Sequence, residues 1–360
     1  MFKRLCVIAI LALSAAPGAH ASSYLTDDPN EVFADVYGRL GISLNQRIVR
    51  DPQIWVFLEE LKREACDQKS ILDLATILEK RGYRREAADG LYNFVRHCGA
   101  PHSALHRSVD IFLKLTDFPK AVEIADEYVR RAPTSSVAVY LRGVGFQGVG
   151  DYRRAVTDYA SSIELFEKGK KDIGEHVFAR MAVAYSKLDQ HCEAAGAILT
   201  WIALEPVRRD TNASRKIVDD YEQRGNCSLS TQFQKERFAA SGNVVKVKVT
   251  INGVQGVFIL DTGASYVSVK SAFAERAKIA NIGSDITLAT ANGQAKGRLT
   301  KAEKVSLGKL EASSVPVVVQ KVDDKSYGAG VDGLLGMSFL SRFDMQMAGG
   351  FIEVRTRRRK

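Results

Sequence analysis

The sequence predicts two fold classes in series, an α-helical repeat region followed by an all-β domain. Three observations predict it. Small residues recur at a spacing of 34 residues in the first two thirds of the chain, an apolar/polar alternation of period two begins just after Asn243, and a single short apolar run stands at the start. The composition agrees: 360 residues, 46% hydrophobic and 26% charged, are globular values and enough chain for two cores. Eight prolines and 28 glycines exclude a collagenous or low-complexity chain, and the lone apolar run excludes a multi-span membrane protein.

The first element is an export signal. Lys3 and Arg4 precede the apolar stretch Leu5–Leu13, and Ala19-His20-Ala21 supplies a small-residue cleavage site, so residues 1–21 read as a cleavable signal peptide. The expected location is therefore periplasmic or secreted. Cys66, Cys98, Cys192 and Cys227 remain after cleavage. Four cysteines in an oxidising compartment permit disulfides in three connectivities. Their distribution as an early and a late pair favours Cys66–Cys98 with Cys192–Cys227; the alternative is buried free thiols. Of the formal net charge of +9, residues 240–360 carry +8, from 18 Lys/Arg against 10 Asp/Glu. Five of those cations form the tail: Arg355, Arg357, Arg358, Arg359 and Lys360. The tail is read as a solvated terminus or a peripheral contact with acidic lipid. An exported chain without interleaved aromatics is not expected to bind nucleic acid.

Residues 22–226 are the helical domain. Val56-Phe57-Leu58 with Leu61, then Ile71-Leu72, Leu74 and Ile77-Leu78, recur at three-to-four spacing. Ala87, Ala121, Ala155 and Ala194 follow turn residues such as Asp117-Phe118 and Gly150-Asp151-Tyr152, and lie 34, 34 and 39 residues apart. The longer last interval holds the charged insertion Glu167-Lys168-Gly169-Lys170-Lys171. A 34-residue helix-turn-helix unit resembles the tetratricopeptide repeat, whose small residue at the helix crossing lets two backbones approach. The resemblance implies a helical solenoid with a protein partner on its repeats. The stretch Gly143–Gly150 lacks a phosphate-loop lysine and reads as close helix packing.

Residues 227–242, polar and glycine-ended, read as a linker, and residues 243–360 as the all-β domain with its basic tail. Val245, Val247, Val249 and Ile251 alternate with polar residues, Asn252-Gly253 marks a hairpin, and Val257–Leu260 is a fully apolar strand. Further strands are expected at 285–291, 297–307 and 315–321, a tight hairpin tip at Asn292-Gly293, a short helix at Met337-Ser338-Phe339-Leu340, and a terminal hairpin around Gly349-Gly350.

The strand Val257–Leu260 runs directly into Asp261-Thr262-Gly263-Ala264-Ser265. A carboxylate launched from a buried strand into a tight glycine turn is held rigid and partly desolvated, which prepares it for acid/base work. Leu334-Leu335-Gly336 follows, Gly336 lying 75 residues after Asp261. This ordered set resembles the retropepsin-like aspartic proteases of the bacterial periplasmic type, over about residues 243–355. The resemblance implies an acid-protease barrel that hydrolyses a protein or peptide substrate, with no metal and no cofactor. It implies Asp261 as the catalytic residue, Thr262, Gly263, Ala264 and Ser265 as its supporting loop, Thr290-Ala291-Asn292-Gly293 as a flap, and Leu334, Leu335 and Gly336 as the second apolar-glycine segment. Ser265 is expected to bond the outer carboxylate oxygen and Thr262 to reach across a two-fold axis. Asp332 is followed by Gly333, not by Thr or Ser, and reads as a surface carboxylate. One D-T-G per chain implies a homodimer through the protease domain, with Asp261 from each subunit.

Competing chemistries are poorly supplied. All six histidines lie at or before His191, and residues 228–360 contain neither histidine nor cysteine, so a serine triad or cysteine protease there is unsupported. His97, His102 and His106 straddle Pro101 without metal-ligand spacing and read as surface or capping residues. The alternative to an enzyme is a peptide-binding scaffold that keeps the groove and cleaves nothing; the complete D-T-G-A-S favours the enzyme.

Overall fold

The structure, a computed structural model, describes residues 28–166, 175–227, 233–240, 244–280, 282–290, 293–320, 326–348 and 350–357. The segment expected to be a signal peptide, the charged insertion at 167–171, Ala291 and Asn292 of the expected flap, and Arg358, Arg359 and Lys360 lie outside the described residues. The chain separates into two compact units between Pro101 and His102, within the helical run. No described helix is long and apolar enough to cross a membrane.

The first unit is helical: α1 (Pro29–Val32), α2 (Ala34–Leu40), α3 (Gln46–Val49), α4 (Pro52–Arg63), α5 (Gln68–Lys80) and α6 (Arg84–Cys98). Asp51 and Asp67 start α4 and α5 by accepting from Gln53 N and from Lys69 N and Ser70 N. The apolar spacing read from the sequence becomes the buried stripe Ile54, Leu58 and Leu61 on α4 and Ile71, Leu74 and Leu78 on α5. Cys66 and Cys98 are disulfide-bonded, their Cα atoms 5.5 Å apart.

The second unit opens with more helices: α7 (His102–Lys114), α8 (Phe118–Arg131), α9 (Ser136–Gly148), α10 (Tyr152–Leu165), α11 (Glu175–Lys187), α12 (His191–Leu204), α13 (Pro206–Arg209) and α14 (Asn212–Gly225). The repeat marks have local causes. Asp117 and Asp151 are N-caps, accepting from Lys120 N and Arg154 N. Ala121, Ala155 and Ala194 are wholly buried where the second helix of each pair crosses its neighbours. The glycine-rich stretch is a helix crossing too: a Cβ at Gly143 would stand 2.9 Å from the Tyr159 ring and one at Gly148 2.2 Å from that of Phe118. Cys192 and Cys227 form the second disulfide, joining α12 to the end of α14.

The barrel follows with β1 (Lys235–Ala239), β2 (Lys246–Ile251), β3 (Val254–Leu260), β4 (Val267–Lys270), α15 (Ser271–Arg276), β5 (Ser284–Thr290), β6 (Gly293–Leu307), β7 (Leu310–Gln320), β8 (Gly333–Leu335), α16 (Met337–Leu340), β9 (Phe343–Ala348) and β10 (Phe351–Thr356). Seven strands run in the order β2-β3-β8-β4-β7-β6-β5, and a β2–β6 pairing at Thr250↔Ser306 and Ile251↔Val305 closes the sheet on itself. A second sheet, β1-β10-β9, lies beside it. The segment expected as a linker thus contributes a strand, paired from Lys235↔Arg355 to Ala239↔Phe351. Its alternation of exposed and half-buried residues, with Phe238 its one large apolar side chain, gave little hydrophobic signal.

Helices and barrel share a core within this unit. α12 buries Glu193, Ala194, Ala195, Gly196, Ala197, Ile198, Leu199, Thr200 and Ile202, so it has no solvent face along most of its length. A helix that is apolar all round is an enclosed helix. It contacts α11 and α14 as well as α16 and β7 of the barrel. One hydrophobic cluster joins Tyr159, Phe178 and Ile198 of the helices to Tyr266, Ile286, Leu288, Leu299 and Val318 of the barrel. β5 is last in the strand order; its Thr287 N donates to Ser161 Oγ of α10 at 3.4 Å, so a helix covers an otherwise open sheet edge.

Candidate active site

The site is built where β3 and β8 run parallel, in register from Phe258↔Gly333 to Leu260↔Leu335. Phe258 and Leu260 are buried in the barrel core with Leu335, so the strand end is fixed by packing. Asp261 is the first residue beyond that strand. Its backbone N–H donates to Leu335 O at 3.1 Å, and its Oδ1 accepts from Gly263 N at 2.8 Å. The turn closes with Ala264 N on Asp261 O at 3.3 Å. Asp261 is half-buried, while Thr262 and Gly263 are exposed. The carboxylate is thus held from behind by its own loop, and the tip of that loop faces solvent.

The segment Leu334-Leu335-Gly336 supports the loop from the other side. Met337 N donates to Ala264 O at 2.8 Å and Ser338 N to Ser265 O at 2.9 Å. Gly336 is required sterically: a Cβ there would lie 2.2 Å from Tyr266 O and 2.7 Å from Ala264 O. Ser338, not singled out in the sequence, is the buried fastener. Its Oγ accepts from Val267 N at 2.9 Å and donates to Pro316 O at 2.7 Å, tying α16 to β4 and β7. A lone hydroxyl within the apolar run Met337–Leu340 was the available signal. Arg342 donates to Ser313 O, Ser314 O and Ser338 O, closing the end of that helix. Burial pulls its guanidinium down to about 10, still charged at neutral pH.

The structure brings Asp261, Thr262, Gly263, Ala264 and Ser265 together with Leu334, Leu335 and Gly336. The oxygen of Asp261 bonded in this arrangement faces Gly263 N, and Ser265 lines a small enclosed cavity beside α10, α11 and α12. Tyr266 is buried under the same helices, and burial pushes its phenol well above the usual range. Thr290 and Gly293 of the expected flap end the paired arms of the β5–β6 hairpin, which run from Ser284↔Leu299 to Thr290↔Gly293, with Thr290 Oγ1 donating to Gly293 O at 2.8 Å. Asp332 departs from the surface role expected of it. Its Oδ2 accepts from Val257 N at 2.9 Å and its Oδ1 from Arg276 Nη2 at 3.0 Å, so it braces β3 from outside. Part of the basic tail is likewise structural. Arg357 is largely buried and donates to Ser341 O, and Arg355 lies in β10. Among the described residues, no three His, Cys, Asp or Glu side chains converge as metal ligands would.

Residues 247–339 match the family model described as aspartyl protease. The matched stretch lies within the barrel, which is thus the part of the chain similar to that family. The family match spans β2 to α16 and so includes both the Asp261 loop and the Gly336 crossing. Among solved structures, the chain is similar to a retropepsin-like aspartic protease from Rickettsia conorii, at 24% identity and a TM-score of 0.30, over 36% of this chain and 96% of that one. It is also similar to MamA, residue 41 to the end, from Desulfovibrio magneticus RS-1, at 16% identity and a TM-score of 0.37, over 51% of this chain and 98% of that one. No curated protein matches the chain.

Proposed function

We propose that the protein is a periplasmic or secreted aspartic endopeptidase, active as a homodimer in which each subunit contributes Asp261, with the helical repeats recruiting substrate or a protein partner. One observation carries the reading. Asp261 stands at the end of a buried strand in a D-T-G turn whose tip faces solvent, while the chain's other candidate carboxylate, Asp332, is bonded to Val257 and Arg276. A single chain therefore offers half of a dyad, and a two-fold axis beside Thr262 and Gly263 supplies the other half.

The chemistry follows from two carboxyl groups within hydrogen-bond distance, which share one proton because both cannot ionise together. The ionised carboxylate takes a proton from a water held between them as the water oxygen attacks the scissile carbonyl. The protonated carboxyl donates to the carbonyl oxygen as the C–O double bond opens. The carboxyl that took the water proton then passes it to the amide nitrogen as the C–N bond breaks, a hydroxyl of the tetrahedral intermediate returns its proton to the other carboxylate, and the pair again shares one proton. The β5–β6 hairpin covers the substrate and excludes water. The open edge of β9, with Met345 and Met347 exposed, supports dimerisation through the second sheet.

The test combines sedimentation with cleavage of an unfolded protein substrate by the mature chain. Cleavage is expected to be absent in Asp261→Asn, to resist chelators and serine-directed reagents, and to fall as the dimer dissociates on dilution. Equal cleavage by the wild type and Asp261→Asn would refute the assignment, and a dimer without cleavage would leave the peptide-binding scaffold.

A further inference from the structure

Beside the root of the β5–β6 hairpin lies a cleft of about 200 Å³, open to solvent, between that root and helices α10, α11 and α12. Its walls are mixed: Val156, Leu188, Leu299 and Pro316 stand beside polar residues such as Gln190 and Thr300. At the lip stands Ile282, 83% exposed although it is a large aliphatic side chain directly ahead of β5. An apolar lip left in water is surface that an occupant would cover.

Glu193 of α12 is also part of the lining. It is 4% exposed, and its Oε1 is buried without a hydrogen-bond partner. Its ion-pair partner is Lys301 Nζ at 3.4 Å, on a side chain that is itself half exposed. Arg342, fixed on backbone carbonyls, compensates the charge from farther off. Buried carboxylates ordinarily accept several hydrogen bonds, and one left short of donors carries a desolvation cost that a bound donor removes. An ionised carboxylate only accepts, so the complementary group is a donor, and a cationic one bonds most strongly. Lys301 can yield its place, since half of its side chain is in water and rotamer freedom is returned when it leaves. Arg153 also lines the cleft and suits the carbonyl groups of a peptide main chain.

We propose that this cleft binds a peptide segment carrying a lysine or arginine flanked by an apolar residue, the basic side chain replacing Lys301 at Glu193 and the apolar one covering Ile282. The site is separate from Asp261 and takes no part in hydrolysis. Glu193 also lines the small cavity that Ser265, Tyr266 and Ser338 line, so one side chain borders both the cleft and the segment that follows Asp261.

The experiment is anisotropy of a dye-labelled Leu-Lys-Leu amide on the full mature chain carrying Asp261→Asn, with norleucine and glutamate replacing lysine in control peptides. Because no cleavage is involved, failure of the protease reading leaves this result intact, and the reverse also holds. The lysine peptide is expected to bind at least about tenfold more tightly than the norleucine peptide, the effect of a charge-assisted bond. Glu193→Gln is expected to remove that preference, Thr157→Trp, at a residue of α10 that also lines the cleft, to block it and abolish binding, and Lys301→Ala to tighten binding by roughly threefold or more. If Glu193→Gln unfolds, the last two variants still decide. Equal affinity for the lysine and norleucine peptides, no binding at about 1 mM, preference for the glutamate peptide, or insensitivity to Thr157→Trp would each overturn the proposal.

Discussion

Two loops flank the β3–β8 crossing, and each carries one aspartate. In the loop after β3, the Asp261 side chain accepts from Gly263 N of its own turn, and its neighbours Thr262 and Gly263 are exposed. In the loop before β8, Asp332 bonds a different strand through Val257 N and a helix through Arg276, and its backbone N–H and C=O pair with Val257 O and Lys270 N. One carboxylate is presented outward, and the other is fastened inward. The difference teaches that residue type and proximity to a glycine do not fix a carboxylate's role; what its oxygens bond to does.

The largest expected effect is on the outward carboxylate. Asp261→Asn should lower the cleavage rate by roughly 10⁴-fold with an unchanged far-ultraviolet spectrum, and a loss below tenfold would erase the distinction between the loops. Gly336→Ala comes next. It drives a Cβ against Tyr266 O, which stands at 2.2 Å, and should cost about 3–4 kcal/mol in urea unfolding. An unchanged midpoint would mean that the crossing is looser than described.

Asp332→Ala should cost about 2 kcal/mol by leaving Val257 N unpaired, while the folded fraction still cleaves. Abolished activity with normal stability would transfer the catalytic role to this loop. The smallest effect concerns a third kind of carboxylate, paired at the surface of a helix. Hydrogen bonds from Arg130 and then Arg131 hold the Glu127 carboxyl below its usual range. A lowered folded value means that the stabilisation is present above the unfolded pKa and is lost as pH falls through the folded one. Solvent screening limits it to about 0.5 kcal/mol. Glu127→Gln should therefore lower the melting temperature slightly at pH 7 and leave it unmoved at about pH 2.

Much of this was legible from residue order. The period-two run at Val245–Ile251 became β2, the spaced alanines became buried crossings, and Asp261 with Gly336 met at one crossing. What was illegible depended on partners distant in sequence. β1 is a strand because β10 lies beside it, more than a hundred residues later, and its own side chains alternate only between exposed and half-buried. β4 is buried on both faces, yet its Ser268 and Lys270 hide that in the sequence. α12 did carry a signal, since His191-Cys192-Glu193-Ala194-Ala195-Gly196-Ala197-Ile198-Leu199-Thr200 offers no polar stripe. That pattern marks a helix enclosed on all sides, and the barrel provides the far side.

The anchoring of β5 shortens the lever available to the hairpin. Ile286 and Leu288 are embedded among α10, α11 and α12, and Thr287 is bonded to Ser161, so the arm is bolted to the helices for about half of its length. Any movement of the hairpin therefore pivots beyond Leu288, in the manner of a short latch rather than a long gate, and its stiffness is set by the helices packed against β5.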